Sequence, residues 1–486
     1  NGRPAGAHSG GFAPFELDVT GLIDWEGENA LAVRVDNLPD AGRVPSSVIG
    51  WWNYGGLYRS VKLLALPAVR VSDVWVRAEP GEPAPLTVEA TLINEGAEPV
   101  TVALSGRVTQ EGEPVALAGD LAAPAVTVVA GESAHLTLAA GIPGARNWSP
   151  EHPHLYALHL ALREGRTTLD ALDVTFGVRR FEVRGTRLYL NGEPIVLKGF
   201  DRHEEYPGPS RVDPGGVLEA DLRLIKQMNG NIVRMHYQGH PDLYDLADRL
   251  GLMVFAEVPV AFVGWADPAE ISDPRVRETG EALLRTLIGT LKNHPSVVIW
   301  SIGNECATYQ EEARPLFGHL ARVARSLDPT RPVAYVGMHD AREKVFDLVD
   351  LPCINKYFGL RTQELAQCLD EIHALTPDKP LLVTEFGQEA IYGLRGEGYG
   401  SEDEQVQVLE ATWQMLRDKA EYIPGGLIWC LADYWLFFPA AHQYRHINRT
   451  YFTHGVVTLS RQPKRAVAAV KRLFKEALCR SLPHVR

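Results

Sequence analysis

Two carboxylates, Glu305 and Glu385, each close an apolar run: residues 297–305 read VVIWSIGNE and residues 380–387 read PLLVTEFG. Two glutamates facing each other across a sugar can break a glycosidic bond, one as nucleophile and one as a protonated acid. The retaining version needs the carboxyls about 5 Å apart. Like charges that close cannot both ionise cheaply, so one pKa rises. Glu385 is expected to be the nucleophile and Glu305 the general acid/base. Once Glu385 is a neutral glycosyl ester, the field on Glu305 weakens and it can act as base towards water.

Runs of this kind suit strands buried on both faces. A polar residue at the C-terminal end of such a strand is where a (β/α)8 barrel keeps its active site. From Leu188 onward the chain supplies eight of them: 195–200, 231–234, 252–257, 297–302, 332–336, 351–355, 381–385 and 426–431. Amphipathic helices alternate with them, at 217–228, 276–291, 313–327, 404–417 and 464–478. The strand ends deliver Asp201, Arg202, His203 and Glu204, then Arg234, His236 and Tyr237, then Glu257, then Asn304 with Glu305. Later ends deliver Asn355 with Tyr357, then Glu385, then Trp429 and Asp433.

These positions suggest roles. Tyr357 would donate to Glu385, and Arg234 would keep Glu385 ionised. Asn304 would hold the sugar 2-hydroxyl, and Trp429 offers a flat apolar face to the ring. Asp201, His203, His236, Asn355 and Asp433 complete the expected substrate-binding set. No GxGxxG or P-loop follows a strand, so a nucleotide-binding sheet is excluded.

Before the barrel the chain reads as β. Strands are expected at 15–19, 30–35 and 58–66, punctuated by Gly, Pro and Asn. Three or four strands leave edges and half a core exposed. Residues 1–67 are therefore expected to be the C-terminal part of a sandwich whose first part lies outside this chain. The segment Trp51 to Gly56 either faces the sugar or packs this remnant on the barrel, with packing preferred. Residues 68–180 read as an immunoglobulin-like sandwich of roughly 100 residues, a spacer and buttress. The catalytic barrel is expected over 181–486.

The chain has 486 residues and a net charge of −13, with no basic cluster, which speaks against nucleic acid and anionic membranes as partners. No apolar run approaches the ~20 residues of a membrane span. Its five cysteines are odd in number and widely spaced, so thiols of a cytoplasmic protein are expected rather than zinc or disulfides. The expected partner is an oligosaccharide or glycoside. No cofactor and no metal are called for, and self-association into a homo-oligomer is left open.

In combination, Ser301-Ile302-Gly303-Asn304-Glu305 and Thr384-Glu385-Phe386-Gly387 resemble the two signatures of glycoside hydrolase family 2, the β-galactosidase/β-glucuronidase family. Asp201-Arg202-His203-Glu204, Asn293-His294-Pro295-Ser296-Val297, Asn355-Lys356-Tyr357-Phe358-Gly359 and Arg461-Gln462-Pro463-Lys464 fit as well. Outside the barrel, Trp52-Asn53-Tyr54-Gly55-Gly56 and Phe176-Gly177-Val178-Arg179-Arg180 do too. The resemblance implies a multidomain β plus α/β chain: a sugar-binding jelly roll, truncated here, an immunoglobulin-like sandwich and a catalytic (β/α)8 TIM barrel. It also implies exo-action on a terminal β-linked sugar.

One departure bears on the sugar. The β-glucuronidase branch grips the substrate carboxylate with Asn-x-Lys-Gly, whereas here Phe452-Thr453-His454 precede Gly455. An insertion nearby carries Arg445, His446, Asn448 and Arg449, and Arg449 joins the expected substrate-binding set. A uronate needs a firmly placed cation, so a neutral sugar, galactose first, is expected. The alternatives are a β-glucuronidase or β-galacturonidase with a relocated clamp, and a non-catalytic carbohydrate-binding barrel.

Overall fold

The computed structural model describes residues 1–38, 42–46, 48–208, 210–436 and 451–476. Alternation of inward apolar residues builds the first sandwich. Strands β1 (Val69–Ala78), β2 (Ala84–Asn94) and β6 (Ser133–Ile142) form one antiparallel sheet. The facing sheet contains β3 (Val100–Gln110), β4 (Glu113–Pro114), β5 (Val126–Val128), β7 (Tyr156–Glu164) and β8 (Thr167–Phe176). Leu86, Val88, Leu104, Leu158 and Leu160 fill the space between them, as two packed sheets require.

Asn293 and Arg179 join this sandwich to the barrel. Asn293 accepts from the Val76 amide at 2.8 Å and donates to the Val74 carbonyl at 2.8 Å. Buried Arg179 donates to the carbonyls of Pro295 and Val297. The motif Asn293 to Val297 is therefore a docking element rather than part of the chemistry.

Strands β9 (Phe181–Arg184), β10 (Arg187–Leu190) and β11 (Glu193–Pro194) make a small sheet whose Phe181, Leu188 and Leu190 plug the barrel floor together with Trp148. The barrel is closed and parallel, in the order β12 (Leu197–Asp201), β13 (Ile232–Met235), β14 (Met253–Glu257), β15 (Val297–Asn304), β16 (Val333–Gly337), β17 (Leu351–Asn355), β18 (Leu382–Phe386) and β19 (Gly425–Ile428). Residue 197 pairs with 425, which closes the ring. There Gly425 has φ +144°, and a Cβ on it would sit 1.9 Å from the Leu197 carbonyl oxygen, so only glycine fits. Every residue of these eight strands is buried.

Helices α1 (Val217–Gln227), α2 (Pro241–Leu250), α3 (Pro274–Leu291), α4 (Ala313–Leu327), α5 (Thr362–His373), α6 (Glu402–Asp418) and α7 (Ala466–Glu476) belong to the outer layer. Capping residues set their starts: Asp273 accepts from the Arg275 amide with Pro274 at the first turn, and Ser401 accepts from Glu404. Among the described residues no helix is long and apolar enough to cross a membrane.

The strands expected within 1–67 are corrected. Among the described residues the first strand begins at Val69, and only a 3-10 turn, Thr20–Leu22, precedes it. Apolar alternation is present, but a strand exists only through a hydrogen-bonded neighbour, and these segments have none. Leu31, Val33 and Leu63 are exposed accordingly. Trp51, in contrast, is buried against the barrel mouth.

Candidate active site

Arg234 organises the barrel mouth. Its guanidinium is fully buried and donates to Asp201 at 2.8 Å, Glu385 at 2.9 Å, Asn304 at 2.7 Å and Glu257 at 3.1 Å. A cation at the C-terminal end of β13 thus serves acidic or amide groups from β12, β14, β15 and β18. Those three carboxylates hold the guanidinium pKa well above its ordinary value, against the opposing effect of burial. At Glu257, burial pushes the carboxyl up, but Arg234 and hydrogen bonds from His236 and Ser301 outweigh it and leave it below the usual range. Asp201 is driven upward by burial, with Arg234 pulling the other way.

Arg234→Met is expected to lower barrel stability by about 3–5 kcal/mol, because it strands buried carboxylates without their cation. The urea midpoint checks this. An unchanged midpoint would mean that the carboxylates are compensated by other groups.

Glu385 ends β18 with both oxygens held: Oε1 by Arg234 and Oε2 by the Tyr357 hydroxyl at 2.6 Å. Burial and then the charge of Glu385 keep the Tyr357 phenol well above its ordinary pKa, so it remains a donor. Glu305 follows β15 in the left-handed region, φ 50°, a conformation costing of order 1–3 kcal/mol in a non-glycine residue. Main-chain bonds pin it there: its amide donates to Val336 and its carbonyl accepts from the Trp265 indole. Asn355 bridges the two strand ends, donating to Glu305 Oε1 at 2.8 Å and to Asn304 Oδ1 at 3.2 Å. Burial first, then the charge of Glu385, pushes the Glu305 carboxyl up to about 8. One carboxylate held by two donors and one carboxylic acid kept protonated near neutrality are the complementary states that double displacement uses.

The remaining expected residues fall into three groups. His236 Nδ1 donates to the Glu257 carboxylate at 3.0 Å, and its Nε2 lies 3.5 Å from Glu385. It stacks on His203 (centroids 5.2 Å apart), and Trp429 meets it edge-on at 5.1 Å. Burial holds the His203 imidazole well below its usual pKa, with His236 adding to the effect, so it stays neutral. Asp433 is held by the protein at one oxygen: Lys464 and the Gly455 amide both donate to its Oδ1, at 2.8 and 2.9 Å. It ties down the 453–455 segment, and burial still pushes its carboxyl up to about 6. Arg449, like Arg445, His446 and Asn448, lies outside the described residues.

Two residues missing from the expected set build walls. Glu257 supplies the counter-charge beneath Arg234 and His236, and only its strand-end position hinted at it. Trp51, read as packing, does pack, but its ring lies 5.8 Å from His236 and 5.7 Å from His203. Tyr54 and Arg59 bind Glu205 and Glu204 at 2.7 Å each, so the N-terminal segment is bolted to the site.

Oxygen and nitrogen atoms of Asp201, His236 and Glu385 lie within 4.8 Å of one another, a spacing a cation could use. Arg234 already donates to both of those carboxylates and supplies the charge. Three buried polar atoms, Asp201 Oδ2, His203 Nε2 and His236 Nε2, have no hydrogen-bond partner among the described residues.

The chain matches a family model described as "Glycosyl hydrolases family 2, TIM barrel domain" over residues 181–477, and one described as "Glycosyl hydrolases family 2" over residues 69–179. It is 30% identical to a β-glucuronidase of Paenibacillus borealis, across 98% of this chain and 82% of that protein. It is 28% identical to a β-galactosidase of Aeromonas hydrophila subsp. hydrophila, across 89% of this chain and 41% of that protein. The crystal structure of a GH2 β-galacturonidase from Eisenbergiella tayi bound to galacturonate superposes with a TM-score of 0.82 at 25% identity, covering 91% of this chain and 78% of that one.

Proposed function

The chain belongs to glycoside hydrolase family 2, and from that premise we propose that it is a retaining exo-β-glycosidase acting on a terminal β-linked uronide. The observation that carries the mechanism is the asymmetry of the pair: Glu385 held by Arg234 and Tyr357, Glu305 kept protonated by burial and by the charge of Glu385. Glu385 attacks the anomeric carbon, and Glu305 gives its proton to the departing oxygen. Water, deprotonated by Glu305, then releases the sugar. Asp201, His203 and His236 offer their unpartnered atoms to the sugar hydroxyls, with Asn304 and Asn355 beside the anomeric centre and Trp429 at the ring face. An inert carbohydrate-binding barrel would have no use for this arrangement.

A uronide replaces the expected neutral sugar because of the relatives. Similarity to β-glucuronidase runs through nearly the whole chain, and the solved relative with TM-score 0.82 is a β-galacturonidase. A neutral galactoside remains the second reading, favoured by Phe452-Thr453-His454 standing where the resemblance calls for a lysine.

The test is a panel of 4-nitrophenyl β-glycosides: glucuronide, galacturonide, galactoside, glucoside, mannoside and fucoside. One uronide is expected to exceed every neutral sugar in kcat/KM by at least about 100-fold, the discrimination a site built around a charged partner can reach. Preference for the galactoside would restore the neutral-sugar reading. No turnover in the panel would remove the mechanism.

A further inference from the structure

We propose that Tyr309, with His339 edge-on to it, is the platform that receives the leaving group, and that it selects flat aromatic aglycones. The inference rests on the reading of Glu305 as the acid, since the oxygen it protonates is the one joining sugar to leaving group. Whatever that oxygen carries must emerge past Glu305.

The chain around Glu305 is built to present a ring there. Tyr309 lies just after Glu305, at the end of a tight turn in which the Thr308 amide donates to Cys306 and the Gln310 amide to Ala307. The Thr308 carbonyl accepts from Lys344, which pins the turn from the other side. Buried Glu343 anchors both walls. Its Oε1 accepts from the amides of Met338 and His339 at 2.8 Å each, and its Oε2 from the Thr308 hydroxyl at 2.5 Å. His339 Nε2 in turn lies 2.9 Å from the Cys306 carbonyl, and Trp265 donates to the carbonyl of Glu305 itself. The residues flanking the acid are thus held by an indole and an imidazole.

Tyr309 meets His339 edge-to-face at 4.9 Å, and yet the tyrosine is 42% exposed. Among the described residues its hydroxyl makes no hydrogen bond, whereas its ring is held against His339. The exposed Arg342 guanidinium, 5.8 Å from the ring centroid, is a contact that an incoming aromatic group can displace. A half-open ring four residues past the acid, held edge-on to His339, costs little entropy to dock against, and stacking of an aromatic aglycone follows from its face.

The experiment compares wild type, Tyr309→Ala and Tyr309→Phe on the 4-nitrophenyl and methyl β-glycosides of the sugar that the panel identifies. In Tyr309→Ala the ratio of kcat/KM, aryl over methyl, is expected to fall about 5- to 10-fold. Tyr309→Phe keeps the ratio. For the aryl substrate kcat falls less than kcat/KM, because the second step no longer carries the aglycone. A merely structural role would lower both substrates together and leave the ratio unchanged, which overturns the platform while leaving the glycosidase reading intact. Absence of wild-type turnover on every sugar overturns both.

Discussion

Glu385→Ala is expected to hydrolyse an aryl β-glycoside at least about 10⁴-fold more slowly than the wild type, a loss of about 5.5 kcal/mol in transition-state stabilisation. Without the carboxylate no glycosyl ester forms, and water must displace the leaving group in one step from a position the site does not prepare. Arg234 and Tyr357 would then donate into the void. A small anion can occupy such a space, so added azide should restore turnover and yield the α-glycosyl azide, the product of a single inversion. The β-azide would transfer the nucleophile's role to Glu305. Wild-type rates in Glu385→Ala, with the fold checked by circular dichroism, would end the double-displacement mechanism.

The two glutamates were legible because a barrel imposes a recognisable sequence on its strands: apolar on both faces, then polar where the strand reaches the mouth. The same rule found Arg234, Asn304, Asn355 and Tyr357. It could not tell which side chains cross the barrel to meet. The sharing of Arg234 among Asp201, Glu257, Asn304 and Glu385 joins residues spread along the chain from 201 to 385, and only the closed sheet brings them together. Asp433 carried the same signal as Glu305, but nothing local in the sequence shows that Lys464, far along the chain, donates to its carboxylate.

At the N-terminal end the error had the opposite origin. Alternation in 15–19, 30–35 and 58–66 is a property of one segment, whereas a strand is a property of two. Trp51 shows how packing and function merge: an indole buried to hold that segment on the barrel is also a wall for the histidines of the site.

Glu305→Gln should separate the two chemical steps. For a methyl or saccharide leaving group kcat/KM is expected to fall by about 10²–10⁴-fold, the usual worth of a placed acid. A 2,4-dinitrophenyl leaving group needs no proton, so its first step survives. The glycosyl ester then accumulates for want of a base, seen as a burst followed by slow turnover. Azide should relieve that second step and give the β-azide. The pH dependence has a defined sign. Burial and the charge of Glu385 place the Glu305 carboxyl at about 8, so the acid form is present below that value and kcat/KM of the wild type falls as pH rises through it. Esterification of Glu385 removes the charge and lets the proton leave when a base is needed. In Glu305→Gln the alkaline limb should vanish. If it persisted, the titrating group would lie elsewhere, and Glu205, pushed up to about 7 by burial beside Tyr54, would be the next candidate.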